Sequence, residues 1–157
     1  MSEQGISLDL GQGQTRRFTG LVLDYTGTLS LDGTLLPGVA QRLERLAKDV
    51  RITVLTADTF GKAEEQLAGL PVDLHIVETG LDKAGFVTKL GAEHVITIGN
   101  GRNDMAMMVM AGLRIAVIGP EGASAELLLV ADAVVHNILD ALDLITNPLR
   151  LKATLRD

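Results

Sequence analysis

The sequence predicts an α/β protein with a Rossmann-like, three-layer fold, in which helices cover both faces of a central parallel sheet. From residue 19 onward, short apolar segments alternate with segments of helical periodicity, an order typical of parallel βαβ units. Only 3% of the residues are aromatic and none is tryptophan, so the core is expected to consist of aliphatic side chains and methionine. A length of 157 residues with 46% hydrophobic content is enough for one domain with a substantial core.

The apolar pattern also predicts the order of the elements. Residues 1–19 are predicted to form a small polar hairpin around the glycine-rich residues 11–14. Strands are then predicted near residues 20–24, 51–55, 73–77, 94–98, 114–118 and 132–136. Helices are predicted near residues 38–48, 61–69, 81–90, 103–112, 123–131 and 138–146.

Two connections determine how open a site at the sheet edge would be. Residues 29–36 carry an Asp32-Gly33 turn between β-prone arms, which predicts a small flap. The segment from Asp58 to Lys83 has room for one helix and one strand only, so no large cap domain is expected. Such a site would be open to bulky substrates or shielded by a neighbouring subunit. The apolar residues 139–145 and 149–152 are candidates for a homo-oligomer interface.

Composition and charge restrict the partners. The net charge of −6 and an isoelectric point near 5.0 argue against nucleic acid and anionic membranes as partners. The absence of cysteine excludes disulfides and thiolate catalysis and suits a cytoplasmic protein. The first residues are polar, and no apolar run approaches the roughly 18 residues of a membrane span, so neither a signal peptide nor a membrane segment is expected.

Polar residues follow the predicted strands in an order that suggests phosphate chemistry. Asp24 ends the first buried strand before a Gly27 turn, where a nucleophile would be held rigidly. Thr56, at the end of the next strand, could donate its hydroxyl to a phosphoryl oxygen. Lys83 begins an inward helical face and could neutralise phosphate charge, unlike Lys89, which lies off that face.

The last segment of this series is Gly99-Asn100-Gly101-Arg102-Asn103-Asp104, which follows the strand near 94–98. The carboxylate of Asp104 and the amide of Asn100 offer the hard oxygen ligands that magnesium prefers. Together they predict a Mg²⁺ site, with Mg²⁺ as the cofactor.

In these segments the chain resembles the haloacid dehalogenase superfamily. Residues 24–28 (Asp-Tyr-Thr-Gly-Thr), 56–58 (Thr-Ala-Asp) and 99–104 are similar to motifs of the phosphorylation domain of P-type ATPases. The resemblance implies a phosphohydrolase or phosphotransferase that forms an aspartyl-phosphate on a phosphorylated substrate. It implies three sets of site residues: catalytic Asp24, Thr26, Thr56 and Lys83; substrate-binding Thr28, Ala57, Asp58 and Asn103; and magnesium-binding Asp24, Thr26 through its carbonyl, Asn100 and Asp104.

Two departures from the family pattern predict weak catalysis. Thr26 stands where phosphatases of the superfamily carry an acid/base aspartate, and a threonine cannot transfer protons near neutral pH. Since such proton transfer contributes about 10²–10⁴ in rate, slow turnover or a persistent phosphoenzyme is expected. Asn100 replaces a ligating aspartate, and its neutral amide is expected to weaken magnesium binding.

Other readings remain open. A non-catalytic, regulatory module that binds magnesium and phosphate is compatible with both departures. A response-regulator receiver would carry its acidic pair before the phosphorylated aspartate, which is the reverse of the order here, whereas a dehalogenase or phosphonatase remains possible. Residues 119–124 are interpreted as a strand-to-helix turn with Ser124 near the helix cap, and Asp58 could also cap a helix.

Overall fold

The computed structural model describes residues 4–157, so the polar start at residues 1–3 lies outside the described part. The strands are β1 (Ile6–Asp9), β2 (Thr15–Phe18), β3 (Gly20–Asp24), β4 (Ser30–Leu31), β5 (Thr34–Leu35), β6 (Arg51–Thr56), β7 (Asp73–Ile76), β8 (Val95–Gly99), β9 (Leu113–Val117) and β10 (Ala133–Val135). Six of them form one parallel sheet in the order β10-β9-β8-β3-β6-β7. β1 and β2 form a separate antiparallel hairpin. The parallel sheet and the N-terminal hairpin confirm the predicted fold class.

The helices are α1 (Val39–Leu46), α2 (Ala63–Leu67), α3 (Gly80–Leu90), α4 (Met105–Met110), α5 (Ala125–Val130), α6 (Ile138–Thr146) and α7 (Pro148–Leu155). They cover both faces of the sheet because alternate residues of a strand point to opposite sides. Leu21 and Leu23 of β3 join the core formed with α1, α6 and α7, whereas Val22 joins the core formed with α3, α4 and α5. Full burial of such a side chain stabilises the fold by about 1.5–3 kcal/mol.

The strand register brings the predicted site residues to one edge of the sheet. β3 is buried along its whole length and lies between β6 and β8. Asp24 pairs with Leu55 of β6, and Leu23 pairs with Ile98 of β8. The carboxyl ends of these three strands therefore lie side by side, where ligands bind in parallel α/β sheets.

The connections after β3 and β6 are short. β4 and β5 form the predicted flap (residues 29–36), whose turn places Asp32 and Gly33 at positive φ values of 51° and 86°. The Tyr25 hydroxyl donates a hydrogen bond of 2.7 Å to the Gly33 carbonyl and ties this turn to β3. Only α2 and β7 lie between β6 and α3, so the chain carries no large cap there, as predicted.

The C-terminal segment differs from expectation. Residues 149–152 belong to α7, a helix that begins at Pro148 and packs against α6 and β1. The buried face of α6, including Leu142 and Ile145, belongs to the chain's own core. Leu149 is 77% exposed, and a homo-oligomer interface at these residues stays a prediction. Within residues 4–157, no helix is both long and apolar enough to cross a bilayer.

Candidate active site

Three charged side chains form a buried ion cluster at the carboxyl end of β3. Lys83 Nζ lies 2.8 Å from Asp24 Oδ1 and 2.7 Å from Asp104 Oδ1. The exposed fractions are 1% for Lys83, 4% for Asp24 and 0% for Asp104. Two carboxylates thus share one ammonium group in a nearly dry environment, which leaves one negative charge in excess.

The local sequence of α3 explains how a lysine enters this environment. A capping box starts the helix: Thr79 accepts a hydrogen bond from the Asp82 backbone, and the Asp82 carboxylate accepts one from the Thr79 backbone. The hydrogen bonds that the Asp82 carboxylate accepts from the Thr79 and Glu78 backbone N–H groups lower the pKa of Asp82. The helix then buries Lys83 and Val87 on one face, one turn apart. The structure therefore places Lys83, and not Lys89, against Asp24.

The cluster changes the protonation of its members. Burial first, and then the Asp104 charge, raise the pKa of Asp24 from an ordinary 3.8 to about 7, against the opposing effect of Lys83. Burial alone would lower the pKa of Lys83, but Asp24 and Asp104 outweigh this effect and raise it. Lys83 is therefore a permanent cation near neutral pH, whereas Asp24 is partly protonated in the absence of another positive charge.

A cavity of about 190 Å³ opens above Asp24. Its lining residues are Asp24, Thr26, Thr56, Ala57, Thr59, Asn100, Gly101, Asn103 and Glu121. Six of the predicted site residues thus meet at one cavity, namely Asp24, Thr26, Thr56, Ala57, Asn100 and Asn103. We call the three exposed polar members of the lining, Thr59, Asn103 and Glu121, the cavity rim.

Thr56 and Asp58 have different tasks in the loop after β6. The buried Thr56 Oγ1 accepts a hydrogen bond of 2.9 Å from the Asp58 backbone N–H, so the hydroxyl hydrogen remains available to the cavity. Asp58 Oδ1 accepts from the backbone N–H groups of Lys62 and Ala63, each at 3.0 Å. Asp58 therefore caps the start of α2 and does not line the cavity, so its substrate-binding role stays a prediction.

Thr28 lies between the two sheet-edge segments that carry Asp24 and Asn100. Its hydroxyl oxygen is 3.1 Å from Asp24 Oδ2 and 3.1 Å from Asn100 Oδ1. A hydroxyl has one hydrogen, so it cannot satisfy both acceptors fully. Thr28 is completely buried and acts on these two side chains rather than on the cavity.

This surplus of acceptor oxygens fits a cation. Asp24 and Asn100 line the cavity beside Thr26, whose carbonyl was predicted as a ligand. Asp104, the fourth predicted ligand, faces elsewhere: Oδ1 accepts from Lys83, and Oδ2 accepts from the backbone N–H groups of Asn100 and Gly101. Within residues 4–157, no three carboxylate, imidazole or thiolate side chains cluster as a metal site, so a magnesium ion would depend on amide and carbonyl oxygens as well.

Sequence reasoning missed three cavity residues, Thr59, Gly101 and Glu121. Gly101 lies within the segment 99–104 but was not predicted as a site residue. Glu121 belongs to residues 119–124, which were interpreted only as a turn before α5; Ser124 does occupy the N-cap position of that helix, but its side chain makes no cap hydrogen bond. Asn100 connects this turn to the site, because its Nδ2 donates to the Gly122 carbonyl at 3.0 Å. No local sequence pattern predicts this contact. The position of the turn, directly after a strand of the same sheet, is the one feature of the sequence that could have placed it near the site.

Known proteins resemble this chain in sequence and in fold. The sequence profile of the haloacid dehalogenase-like hydrolases matches residues 68–140. An uncharacterized protein of Methanocaldococcus jannaschii is 54% identical over 63 residues, which are 40% of this chain and 68% of that protein.

Two solved structures share the fold. The 3-deoxy-D-manno-octulosonate 8-phosphate phosphatase of Moraxella catarrhalis, in complex with magnesium, phosphate and a KDO molecule, is 20% identical with a TM-score of 0.63, over 87% of this chain and 92% of that one. A zinc-transporting PIB-type ATPase is 28% identical with a TM-score of 0.63, over 77% of this chain and 20% of that one. The profile match and the shared fold confirm the resemblance to the haloacid dehalogenase superfamily that the sequence predicts.

Proposed function

We propose that the protein is a magnesium-dependent phosphohydrolase or phosphotransferase that forms an aspartyl-phosphate on Asp24. One observation carries this proposal: the Asp24 carboxylate lies at the base of an open polar cavity and is held by the buried ammonium group of Lys83 at 2.8 Å. A carboxylate fixed in this way can attack an incoming phosphorus atom without first reorganising.

The chain's own side chains suit the steps of phosphoryl transfer. The Asp24 oxygen would attack phosphorus while the bond from phosphorus to the leaving oxygen breaks, and the leaving oxygen then takes a proton from water. The Thr56 hydroxyl and the Asn103 amide can donate hydrogen bonds to the phosphoryl oxygens. The ammonium group of Lys83, which contacts Asp24, would offset part of the negative charge that the phosphoryl group brings.

Magnesium fits the remaining donors of the cavity. Asp24, Asn100 and the Thr26 carbonyl would hold the ion, which would supply positive charge to the phosphoryl group when bound. With a single carboxylate among these three ligands, magnesium binding is expected to be weaker than at a site with two. The magnesium and phosphate in the Moraxella catarrhalis enzyme support this assignment.

Thr26 favours slow hydrolysis of the aspartyl-phosphate, the second step of the reaction. The hydrolysis of an aspartyl-phosphate needs a group that removes a proton from the attacking water, and the Thr26 side chain cannot do so. The similarity of residues 24–28 to the phosphorylation motif of P-type ATPases, with the fold shared by the zinc-transporting ATPase, is consistent with a phosphorylated state that lasts. We therefore expect the phosphoenzyme to accumulate at least transiently.

A regulatory module that binds magnesium and phosphate without turnover is the second candidate. Thr26 and Asn100 favour it, because both replace carboxylates that the resemblance leads one to expect. The two candidates differ in one observable, a covalent phosphoprotein.

The test is a single-turnover reaction with acetyl phosphate and magnesium, in which free phosphate and acid-stable phosphoprotein are followed together. Asp24→Asn should abolish both signals, and Asp49→Asn, which changes an exposed aspartate, serves as the matched control. Unchanged activity of Asp24→Asn would remove Asp24 from the mechanism. Magnesium-dependent phosphate binding without phosphoprotein would support the regulatory module.

A further inference from the structure

Among residues 4–157, Glu121 is the one acidic side chain besides Asp24 that lines the cavity. The other seven lining residues are threonine, alanine, asparagine and glycine, which cannot accept a proton from water near neutral pH. Among these lining side chains, only Asp24 and Glu121 can accept a proton from a water molecule, and Asp24 is the proposed nucleophile.

Two carboxylates close to the cavity but outside its lining, Asp104 and Asp58, are engaged elsewhere. Asp104 is completely buried and accepts hydrogen bonds from Lys83 and two backbone amides. Asp58 accepts from the backbone at the start of α2. Neither carboxylate is therefore free to reach a water molecule in the cavity.

The backbone around Glu121 is held against the site on both sides. Gly119 and Gly122 have φ values of +63° and +79°, so the turn relies on residues without a side chain. The Asn100 side chain donates to the Gly122 carbonyl at 3.0 Å, and the Ser124 backbone N–H donates to the Asn100 carbonyl at 2.8 Å. The turn is also close to the nucleophile loop, since a Cβ built on Gly27 would lie 3.3 Å from Glu121 Cβ.

The flap positions the carboxylate itself. The Asp32 backbone N–H donates a hydrogen bond of 3.1 Å to Glu121 Oε2. Glu121 Oε1 accepts no hydrogen bond from the residues that the structure describes, 4–157. The carboxylate is thus oriented through one oxygen, while the other remains available to a water molecule.

We propose that Glu121 is the general base that hydrolyses the aspartyl-phosphate, in place of the side chain that Thr26 cannot provide. This inference rests on the proposed function. Water oxygen attacks phosphorus, the bond between phosphorus and the Asp24 oxygen breaks, and Asp24 is released as a carboxylate. Glu121 takes one proton of the attacking water, inorganic phosphate leaves, and Glu121 then returns its proton to solvent.

The test compares Glu121→Gln with Glu121→Ala. The glutamine keeps an oxygen that can accept from Asp32 but cannot act as a base, whereas alanine removes both functions and leaves space. Glu126→Gln, which changes an exposed glutamate five residues further on, is the matched control. Each protein is phosphorylated with acetyl phosphate and magnesium and freed from the donor, and the decay of acid-stable phosphoprotein is then followed by rapid quench, with and without sodium formate.

We expect phosphorylation of both Glu121 variants at nearly the wild-type rate, and decay slower by about 10²-fold or more. Formate, a small carboxylate base that can enter the vacated space, should accelerate decay in Glu121→Ala but not in Glu121→Gln. A wild-type rate of phosphoprotein decay in Glu121→Gln would overturn the inference. If decay were slow in Glu121→Ala alone, Glu121 would only support the flap, and the inference would also be overturned. If the wild-type protein forms neither phosphoprotein nor phosphate, the proposed function fails and the inference fails with it.

Discussion

The ion cluster and the cavity rim lie at the same sheet edge but depend on different interactions. Each member of the cluster (Asp24, Lys83, Asp104) is at most 4% exposed and bonded to another member. Each member of the rim (Thr59, Asn103, Glu121) is exposed. A change in the cluster should therefore alter stability and chemistry together, whereas a change in the rim should alter chemistry alone.

The largest effect is expected from Lys83→Met, which removes the common partner of two buried carboxylates. Loss of one member of a buried ion pair typically costs about 3–5 kcal/mol. The free energy of unfolding, measured by urea denaturation at pH 7, should fall by roughly that amount, and phosphoprotein formation should be lost. Lys89→Met, which changes a lysine outside the cluster, is the control. Wild-type stability of Lys83→Met would show that the cluster does not support the fold.

The second prediction concerns pH and the metal-free protein. The pKa of Asp24 is about 7 in the folded state and 3.8 ordinarily, so the folded state holds this proton more tightly than the unfolded state. The contribution of Asp24 to stability is therefore fully present below about pH 4 and is lost as pH rises to about 7. Its size is on the order of a few kcal/mol.

Urea denaturation in EDTA between pH 5 and pH 8 measures this dependence. The Asp24 contribution to the wild-type free energy of unfolding should decrease across that range. Asp24→Asn has no titrating group at this position, so its stability should change less with pH. Parallel pH profiles for the two proteins would contradict the raised pKa.

The third prediction compares the effects of alanine substitutions at two glycines near the site. Gly27 and Gly122 have nearly equal φ values of +78° and +79°, but a Cβ on Gly27 would overlap with the Asn100 amide, whereas a Cβ on Gly122 would meet nothing within 4 Å. Gly122→Ala should cost only about 1–2 kcal/mol of backbone strain. Gly27→Ala should cost more and also weaken magnesium binding, because it displaces Asn100.

Urea denaturation and magnesium titration by calorimetry measure both effects of the glycine substitutions. Equal losses of stability for the two variants, with unchanged magnesium affinity, would show that the close approach of Gly27 to Asn100 is unimportant.

The smallest effect on stability is expected at the rim. Asn103→Ala removes an exposed amide and should change the free energy of unfolding by less than about 0.5 kcal/mol. Loss of one hydrogen bond to a charged phosphoryl group should slow phosphoprotein formation by about tenfold. A rapid-quench time course beside urea denaturation compares the two quantities, and a large loss of stability would abolish the contrast between rim and cluster.

The cluster was more accessible to sequence reasoning than the rim. Asp24 and Thr56 end apolar strands, and Lys83 continues an apolar helical face, so local patterns located them. Local patterns could not identify Asp104 as a partner of Lys83, and Asp104 was predicted as a magnesium ligand. In the folded chain its carboxylate oxygens accept hydrogen bonds from Lys83 and from backbone amides.

The rim depends on loops that meet only in the folded chain. Glu121 lies in a turn whose glycines indicate a bend but not its neighbours, and its contacts come from Asn100 and the flap. Helix α7 was missed for a related reason, since its single fully buried residue, Leu151, gives too short an apolar pattern to indicate a helix. Local periodicity was enough to predict whether a segment is a helix or a strand. The contacts between loops could not be predicted without knowing the order of the strands in the sheet.

The position of β3 has a consequence for the synthesis of the chain. This inner strand is the first of the six sheet strands to leave the ribosome, and its two neighbours, β6 and β8, follow later. Asp24 meets its cation only after Lys83 has emerged, and the cluster is complete only with Asp104. A nascent chain that stops before β8 exposes an apolar strand with one unpaired edge, a species prone to aggregation. We therefore expect productive folding to begin only after residues 95–104 have left the ribosome.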